Sequence, residues 1–122
     1  MIYKNNSFFH SVAAACHGLF YAFKTESNIR RHVFFSAITI LLGFYFSISW
    51  VEWCICLLCI SMVITAELLN TAIENMLDIL HPDYHPGIGM IKNICASAVL
   101  ISSIGAFAIA NIVFLPKMLL HF

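Results

Sequence analysis

The stretch VEWCICLLCISMVITAELLNTAIENMLDIL, residues 51–80, decides the fold of this chain, because it combines the length of a membrane-spanning helix with a polar stripe. The stripe has the following members: Glu67, Asn70, Thr71 and Glu74. Residues at these spacings share one face of a helix with about 3.6 residues per turn. An ionisable group near the centre of a bilayer costs at least about 2.5 kcal/mol, so two carboxylates on this helix indicate a functional site.

The composition indicates a small integral membrane protein. The chain has 122 residues, of which 61% are hydrophobic and 10% are charged. Soluble domains have about 25% charged and about 45–50% apolar residues. Residues 1–122 are therefore expected to form a single membrane domain, and no cleavable signal sequence is expected. The formal net charge of zero at pH 7 argues against nucleic acid as a partner.

Two groups of residues have spacings that metal or redox sites also use. Cys56 and Cys59 lie in an apolar run without a nearby histidine or lysine to activate a thiolate, so we interpret them as small apolar residues of a membrane helix. His81, Asp83 and His85 are interleaved with prolines, which gives poor geometry for zinc. Neither group is expected to bind a metal.

Three apolar runs predict an all-α integral membrane fold with three transmembrane helices per subunit. The predicted spans are residues 33–50, 51–80 and 95–115. Residues 1–30 are predicted to form an amphipathic surface helix and a polar junction, and residues 81–93, with their prolines and glycines, a loop. At about 1.5 Å per residue the second span would be about 45 Å long, which exceeds the ~30 Å hydrocarbon core.

Basic residues are distributed unevenly about these spans. The short turn between the first two spans carries none, whereas the opposite ends carry Lys4, Lys24, Arg30, Arg31 and Lys92. The positive-inside rule then puts the N-terminus and the 81–93 loop in the cytoplasm and Lys117 outside. Counted along the helix from Trp53 at the outer interface, Glu67 is about 21 Å and Glu74 about 31 Å inward. Glu74 is therefore expected at the cytoplasmic interface and Glu67 deeper in the membrane.

Two carboxylates and a lysine at the cytoplasmic interface suit a magnesium polyphosphate. Mg²⁺ is often held by one or two carboxylates together with substrate phosphates, a role that fits Glu26 and Glu74. Lys92 can offset phosphate charge. Glu67 is suited to accept the proton of an alcohol, so these residues predict phosphoryl transfer to a lipid hydroxyl. In the alternative, the carboxylates only pair with basic residues to hold helices together, and the residues themselves leave both interpretations open.

Small residues recur every four positions in the third apolar run, at Ala98, Ser102, Ala106 and Ala110. Small side chains at this spacing let membrane helices approach closely. We therefore predict a homo-oligomer, in which neighbouring subunits supply partners for the polar stripe. The alternative is that alanine and serine are simply common in such helices.

Several segments resemble the prokaryotic diacylglycerol kinase family of small three-span membrane enzymes. They are YAFKTESNIRRH at 21–32, AELLNTAIENMLDIL at 66–80, PDYHP at 82–86, IKNICASAVL at 91–100 and IVFLPK at 112–117. The FLPK ending and the short N-terminus are more similar to the undecaprenol kinase branch than to the diacylglycerol kinase branch. The resemblance implies a multi-pass homotrimer of the prokaryotic cytoplasmic membrane that uses Mg²⁺ and ATP to phosphorylate a lipid alcohol at the cytoplasmic face.

The resemblance also implies roles for individual residues. Glu67 resembles the family's catalytic carboxylate, and Glu26 and Glu74 resemble the pair that holds the metal and the nucleotide. Further nucleotide-binding residues implied by the match are Asp83, Tyr84, His85, Lys92 and Asn93. The residues expected to contact the lipid substrate are Glu67, Asn70, Trp53 and Arg30.

One position departs from the family pattern, which has aspartate where this chain has Asn93. A carboxamide lacks the negative charge and adds a donor, so nucleotide binding is expected to be weakened or rearranged. The favoured acceptor is undecaprenol, with diacylglycerol as the first alternative and a non-catalytic membrane oligomer with a degenerate site as the second. An ion path along the stripe is disfavoured because residues 54–64 are almost wholly apolar.

Overall fold

The computed structural model describes residues 7–122, which form helices and no strand, as the all-α prediction requires. Residues 1–6, with the predicted start of the N-terminal segment and the charge of Lys4, lie outside the described residues. The helices in chain order are α1 (Phe8–Thr25), α2 (Ser27–Tyr45), α3 (Trp50–Leu80) and α4 (Pro86–His121).

Two of these helices are long and apolar enough to cross a membrane. They are α3, with a mean hydropathy of 2.0 in its most apolar window, and α4, with 2.3. Only 17% of that window in α3 and 11% of that in α4 is buried, whereas the core helix of a soluble protein would be mostly buried. Length and mean hydropathy thus support two of the three predicted spans. By the same two criteria α2 does not qualify as a span.

A capping box fixes the start of α3. The side chain of Ser49 accepts a hydrogen bond from the backbone N–H of Glu52 (3.2 Å), and Glu52 Oε1 accepts one from the backbone N–H of Ser49 (2.9 Å). The pair satisfies two donors that a helix start leaves without partners. At its other end α3 stops at Leu80, because the residue before Pro82 is biased away from helical geometry.

The junction between α1 and α2 is a single residue rather than a polar segment. Glu26 is extended, with φ of −115° and ψ of 117°, and α2 begins at Ser27. The backbone N–H of Glu26 donates to Ala22 O at 2.9 Å, and this hydrogen bond completes the last turn of α1. The polar residues 27–32 continue into α2 because exposed polar side chains are compatible with a helix.

The predicted loop at 81–93 is also shorter than expected, since α4 already begins at Pro86. Proline at the first position of a helix loses no hydrogen bond and has a helical φ. His85 completes the start, because its Nδ1 accepts from the backbone N–H of Gly87 at 2.9 Å. The predicted stop at Pro116 is wrong as well: α4 runs through Pro116 to His121. Membrane helices tolerate an internal proline where neighbouring groups satisfy the freed carbonyl.

The turn between α2 and α3 ends the first predicted span at Tyr45 instead of residue 50. The N–H of Ile48 donates to Gly43 O (3.1 Å) and that of Ser47 to Phe44 O (3.3 Å), which is the Schellman pattern. This pattern requires a left-handed residue, and Ser47 supplies it with φ of 50°. The chain then turns directly into the capping box of α3.

The small-residue stripe of α4 is only partly covered within the chain. Ala98, which is exposed, and Ser102 line an open groove shared with α3, and Ala110 contacts a buried cluster formed by Ile48, Cys56, Val113 and Phe114. That this stripe forms contacts between subunits stays a prediction. An ion pair between Lys117 Nζ and Glu52 Oε2 (3.2 Å) closes the same end of the α3–α4 pair.

Candidate functional site

The polar stripe of α3 is a buried face. The exposed fractions are 2% for Glu67, 8% for Asn70 and 7% for Thr71, and Glu74 is half-buried. A helix that spans a bilayer places its polar side chains against protein when it can, since lipid offers them no partner. The stripe accordingly faces protein, as its spacing predicted, and Glu67 is its most deeply buried member.

Glu67 lies among three other titratable side chains. His32 Nε2 is 3.6 Å from Glu67 Oε2, and the charges of Glu26 and Glu74 both lie close enough to act on Glu67. The role of Glu26 and Glu74 in holding a metal and a nucleotide stays a prediction. Sequence analysis missed His32, which stands at the end of a basic segment and meets Glu67 only through the packing of α2 on α3.

The elbow between α1 and α2 holds Glu26 at its apex. The guanidinium Nη1 of Arg30 donates to Phe23 O (2.8 Å) and to Lys24 O (2.9 Å), so it caps carbonyls at the end of α1. Its contact there fixes the angle at which Glu26 is presented. A contact of Arg30 with the lipid substrate stays a prediction.

The donor set of the site fits magnesium. Among residues 7–122 no group of three or more His, Cys, Asp and Glu side chains has the arrangement of a metal site. The charges of Glu26 and Glu74 both act on Glu67, and two carboxylates are what Mg²⁺ commonly takes from a protein when phosphates and water complete its shell. A structural zinc site, which needs four protein ligands, does not fit these residues.

An apolar groove of about 620 Å³ runs between α3 and α4 beside the stripe. It is lined by Ser61, Met62, Thr65, Ala66, Leu69, Asn70, Ile73, Ile94, Cys95, Ala98 and Ser102. Asn70 is the member of the stripe that reaches this groove, and its Oδ1 is buried without a hydrogen-bond partner. A buried acceptor without a partner costs free energy, so a donor on a bound molecule would be stabilised there.

A second cavity, of about 340 Å³, separates α1 from α3. Thr71 and Asn75 contribute polar groups from α3, and small residues of α1 such as Gly18 and Ala22 form the opposite wall. The polar stripe therefore borders both cavities, with Asn70 at one and Thr71 at the other. The surface helix closes this side of the site.

The predicted nucleotide loop and its lysine lie beyond the stripe. Lys92 Nζ is 2.6 Å from Asp78 Oδ1, and Asp78 is one helical turn past Glu74 and about 16 Å past Glu67 along α3. The remaining members of the predicted set, Asp83, Tyr84, His85 and Asn93, are exposed at the same end of the helix pair. The side chain of His85 is engaged as the cap of α4.

Trp53 is the one predicted site residue that the structure separates clearly from the others. It lies 14 positions before Glu67 on α3, which is about 21 Å along the helix. Its ring packs against Phe44, with centroids 4.9 Å apart, and over Gly43. Trp53 therefore belongs to the packing of α2 on α3 at the far end of the molecule, not to the surroundings of Glu67.

Comparison with known proteins gives a consistent picture. A sequence model of the family described as prokaryotic diacylglycerol kinase matches residues 13–114. The chain is 34% identical to an undecaprenol kinase of Bacillus subtilis over 113 residues, which is 93% of this chain and 92% of that protein. It is 31% identical to a diacylglycerol kinase of Synechocystis, covering 84% of this chain and 59% of that protein, and 29% identical to a diacylglycerol kinase of Haemophilus influenzae, covering 83% and 88%.

Proposed function

Since this chain belongs to the prokaryotic diacylglycerol kinase family and is a lipid kinase, we propose that it transfers the γ-phosphate of Mg-ATP to the hydroxyl of undecaprenol. The observation that carries the proposal is the carboxylate of Glu67, which is 2% exposed and lies within range of the charges of Glu26 and Glu74. A buried base beside a carboxylate pair is the arrangement that transfer from a magnesium nucleotide to a membrane alcohol needs.

In the proposed reaction Glu67 removes the proton of the lipid hydroxyl. As that O–H bond breaks, the lipid oxygen bonds to the γ-phosphorus, and the bond from this phosphorus to the bridging oxygen breaks to release ADP. Magnesium held by Glu26 and Glu74 would offset the charge of the phosphates. Lys92 supplies a further positive charge at the nucleotide end, where Asp83, Tyr84, His85 and Asn93 are proposed to contact ATP.

The lipid is proposed to bind along the groove between α3 and α4. Its apolar lining suits a long hydrocarbon chain, and the unpartnered Oδ1 of Asn70 offers an acceptor for a hydroxyl. Undecaprenol is preferred as the acceptor because the undecaprenol kinase of Bacillus subtilis matches over 92% of its own length. Diacylglycerol is the alternative, since relatives with that name are nearly as similar.

We also propose that α2 is a third span, so that the protein is multi-pass with its active site at the cytoplasmic face. His32 on α2 meets Glu67 on α3, and Gly43 meets Trp53, so α2 accompanies α3 over the same depth of membrane. The basic residues at the elbow and at Lys92 favour a cytoplasmic location for that end. A homotrimer, which the family resemblance implies, is part of the same proposal.

The test is to incubate the purified protein with Mg²⁺ and ATP labelled on its γ-phosphate, together with undecaprenol, diacylglycerol and a short alkyl alcohol in separate bilayers. Label in undecaprenol phosphate, at a rate above that for diacylglycerol, supports the proposal. Label in diacylglycerol alone would show that diacylglycerol, and not undecaprenol, is the acceptor. No label in any lipid would favour the non-catalytic membrane oligomer. Titration of ATP binding would then show whether nucleotide binding or a later step is lost.

A further inference from the structure

We infer that His32 is a positioning residue for Glu67: its Nε2–H holds one oxygen of the carboxylate and leaves the other directed at the lipid hydroxyl. The inference rests on the proposed function, because it concerns the same reaction. It starts from the contact between His32 Nε2 and Glu67 Oε2 at 3.6 Å. Both side chains are well enclosed, with exposed fractions of 22% and 3%.

The lysines and arginines of residues 7–122 are all engaged elsewhere. Lys92 pairs with Asp78 and Lys117 with Glu52. The remaining contacts are those of Lys24 over the Phe20 ring, Arg30 on the carbonyls of α1, and Arg31 on Asn28 Oδ1. His32 is therefore the basic group of residues 7–122 that lies against the buried carboxylate. A buried carboxylate without a partner is strongly disfavoured, so this contact has a physical reason.

The backbone of α2 fixes where His32 can be. Ile29, His32 and Ser36 follow the spacing of one helical face, and Ile29 is fully buried while the other two are half-buried. Ser36 Oγ donates to the backbone carbonyl of His32 at 2.7 Å, so this hydrogen bond does not involve the imidazole ring. The imidazole is thus held on the face that packs on α3, and its nitrogen remains available to Glu67.

The separation of 3.6 Å is longer than a hydrogen bond, which for N–H···O is about 2.7–3.2 Å. Catalytic hydrogen bonds are often long before substrate binds and shorten in the complex. A carboxylate with one oxygen held by an N–H donor has a defined orientation, and its second oxygen can meet the substrate. Because small errors of placement reduce turnover strongly, a positioning role affects kcat and leaves the binding of ATP unchanged.

The test compares glutamine and asparagine at position 32, two side chains with the same amide group that differ in length. The side-chain nitrogen of glutamine lies near the position of histidine Nε2, and that of asparagine near the position of Nδ1. We expect His32→Gln to keep kcat within about threefold of the wild type and His32→Asn to lose about 10- to 100-fold in kcat, with the KM for ATP unchanged in both. His17→Asn, at an exposed position of α1, is the matched control and should leave both constants unchanged.

Equal kcat values for the Gln and Asn variants, whether normal or reduced, would overturn the inference, as would a change confined to the KM for ATP. A double-mutant cycle of His32→Asn and Glu67→Gln in thermal unfolding measures the contact without relying on activity. Additive effects on stability would also overturn the inference. If the wild type phosphorylates no lipid, the proposed function fails, and the cycle still decides whether the two side chains interact.

Discussion

The difference between a carboxylate and a carboxamide at position 67 tests the proposed chemistry at a single residue. Glu67→Gln keeps the size of the side chain and removes the proton acceptor. We expect turnover to fall by a factor of about 10²–10⁴, because general base catalysis contributes that much, while ATP binding stays close to that of the wild type. Steady-state kinetics and nucleotide titration measure the two effects separately.

Glu52→Gln is the matched control for this change, since Glu52 is a glutamate of the same helix that pairs, at the opposite end, with Lys117. Its turnover should remain normal. Wild-type rates in Glu67→Gln would remove Glu67 from the mechanism.

The ion pair of Lys92 with Asp78 leads to a prediction about nucleotide affinity. At 2.6 Å from Asp78, Lys92 must give up this partner to bind a phosphate. Exposed pairs are worth about 0.2–1 kcal/mol, so Asp78→Asn is expected to lower the KM for ATP by up to about fivefold. Lys92→Gln is expected to raise it. A higher KM in Asp78→Asn would show that Asp78 supports the nucleotide instead of competing with it.

The spacing of residues in the sequence predicts the polar stripe but not the contacts that side chains make between helices. The spacing of Glu67, Asn70 and Thr71 lies within one helix, so periodicity alone was sufficient to predict a shared face. The pairing of His32 with Glu67, and likewise that of Lys92 with Asp78, depends on how far one helix is shifted along another, which no local pattern encodes. The separation of Trp53 from Glu67, by contrast, lies within α3, and the sequence itself predicts it as about 21 Å.

The contact of α2 with α3 depends on a glycine. A Cβ on Gly43 would lie 2.6 Å from Cη2 of Trp53 and 3.2 Å from Ile48 Cδ1, closer than side chains approach each other. Overpacking costs about 1–3 kcal/mol, so Gly43→Ala is expected to lower the thermal stability of the protein in detergent. Gly105→Ala is the control, because nothing lies within 4 Å of the added methyl group, and it should gain up to about 1 kcal/mol from helix propensity. Equal stability of the two variants would contradict this account of the contact.

The Schellman turn predicts a stabilising substitution. Ser47 has φ of 50°, a conformation that glycine adopts at little cost and other residues adopt at about 1–2 kcal/mol. Ser47→Gly should therefore raise the free energy of unfolding by about 0.5–1 kcal/mol after the extra freedom of the unfolded glycine is included. Ser49→Ala, which removes the cap of α3, should lower it by about 1 kcal/mol. Chemical denaturation in micelles compares the two, and a loss of stability in Ser47→Gly would contradict the prediction.

The sequence predicted the existence of each helix better than its limits. Hydrophobic runs mark where helices lie, but the sequence predicts a loop through Pro86 and a span that ends before Pro116, and the helix accommodates both prolines. Pro86 begins α4 and Pro116 lies within it. Proline blocks a helix only where its missing N–H or its ring matters, and that depends on position within the helix and on neighbouring elements.

At the scale of the whole molecule, the prediction concerns how many copies of this chain assemble. Ala98 and Ser102 of α4 line an open groove, so contacts between chains along α4 stay a prediction. The family resemblance predicts a homotrimer, and crosslinking in native membranes followed by native mass measurement in mild detergent should give a three-chain species as the largest discrete product. A monomer that keeps full lipid kinase activity in both measurements would contradict it.

The joint at Glu26 is a single residue between two helices, and this restricts how the gene can vary. An amino acid inserted at that point would change the angle between α1 and α2 and displace α1 from the wall that it forms opposite Thr71 and Asn75. Insertions directly after Leu80, ahead of the residues proposed to contact ATP, change no angle between packed helices, because that segment is already non-helical and exposed. Length polymorphism among descendants of this protein should therefore accumulate in the latter segment and be purged at the former.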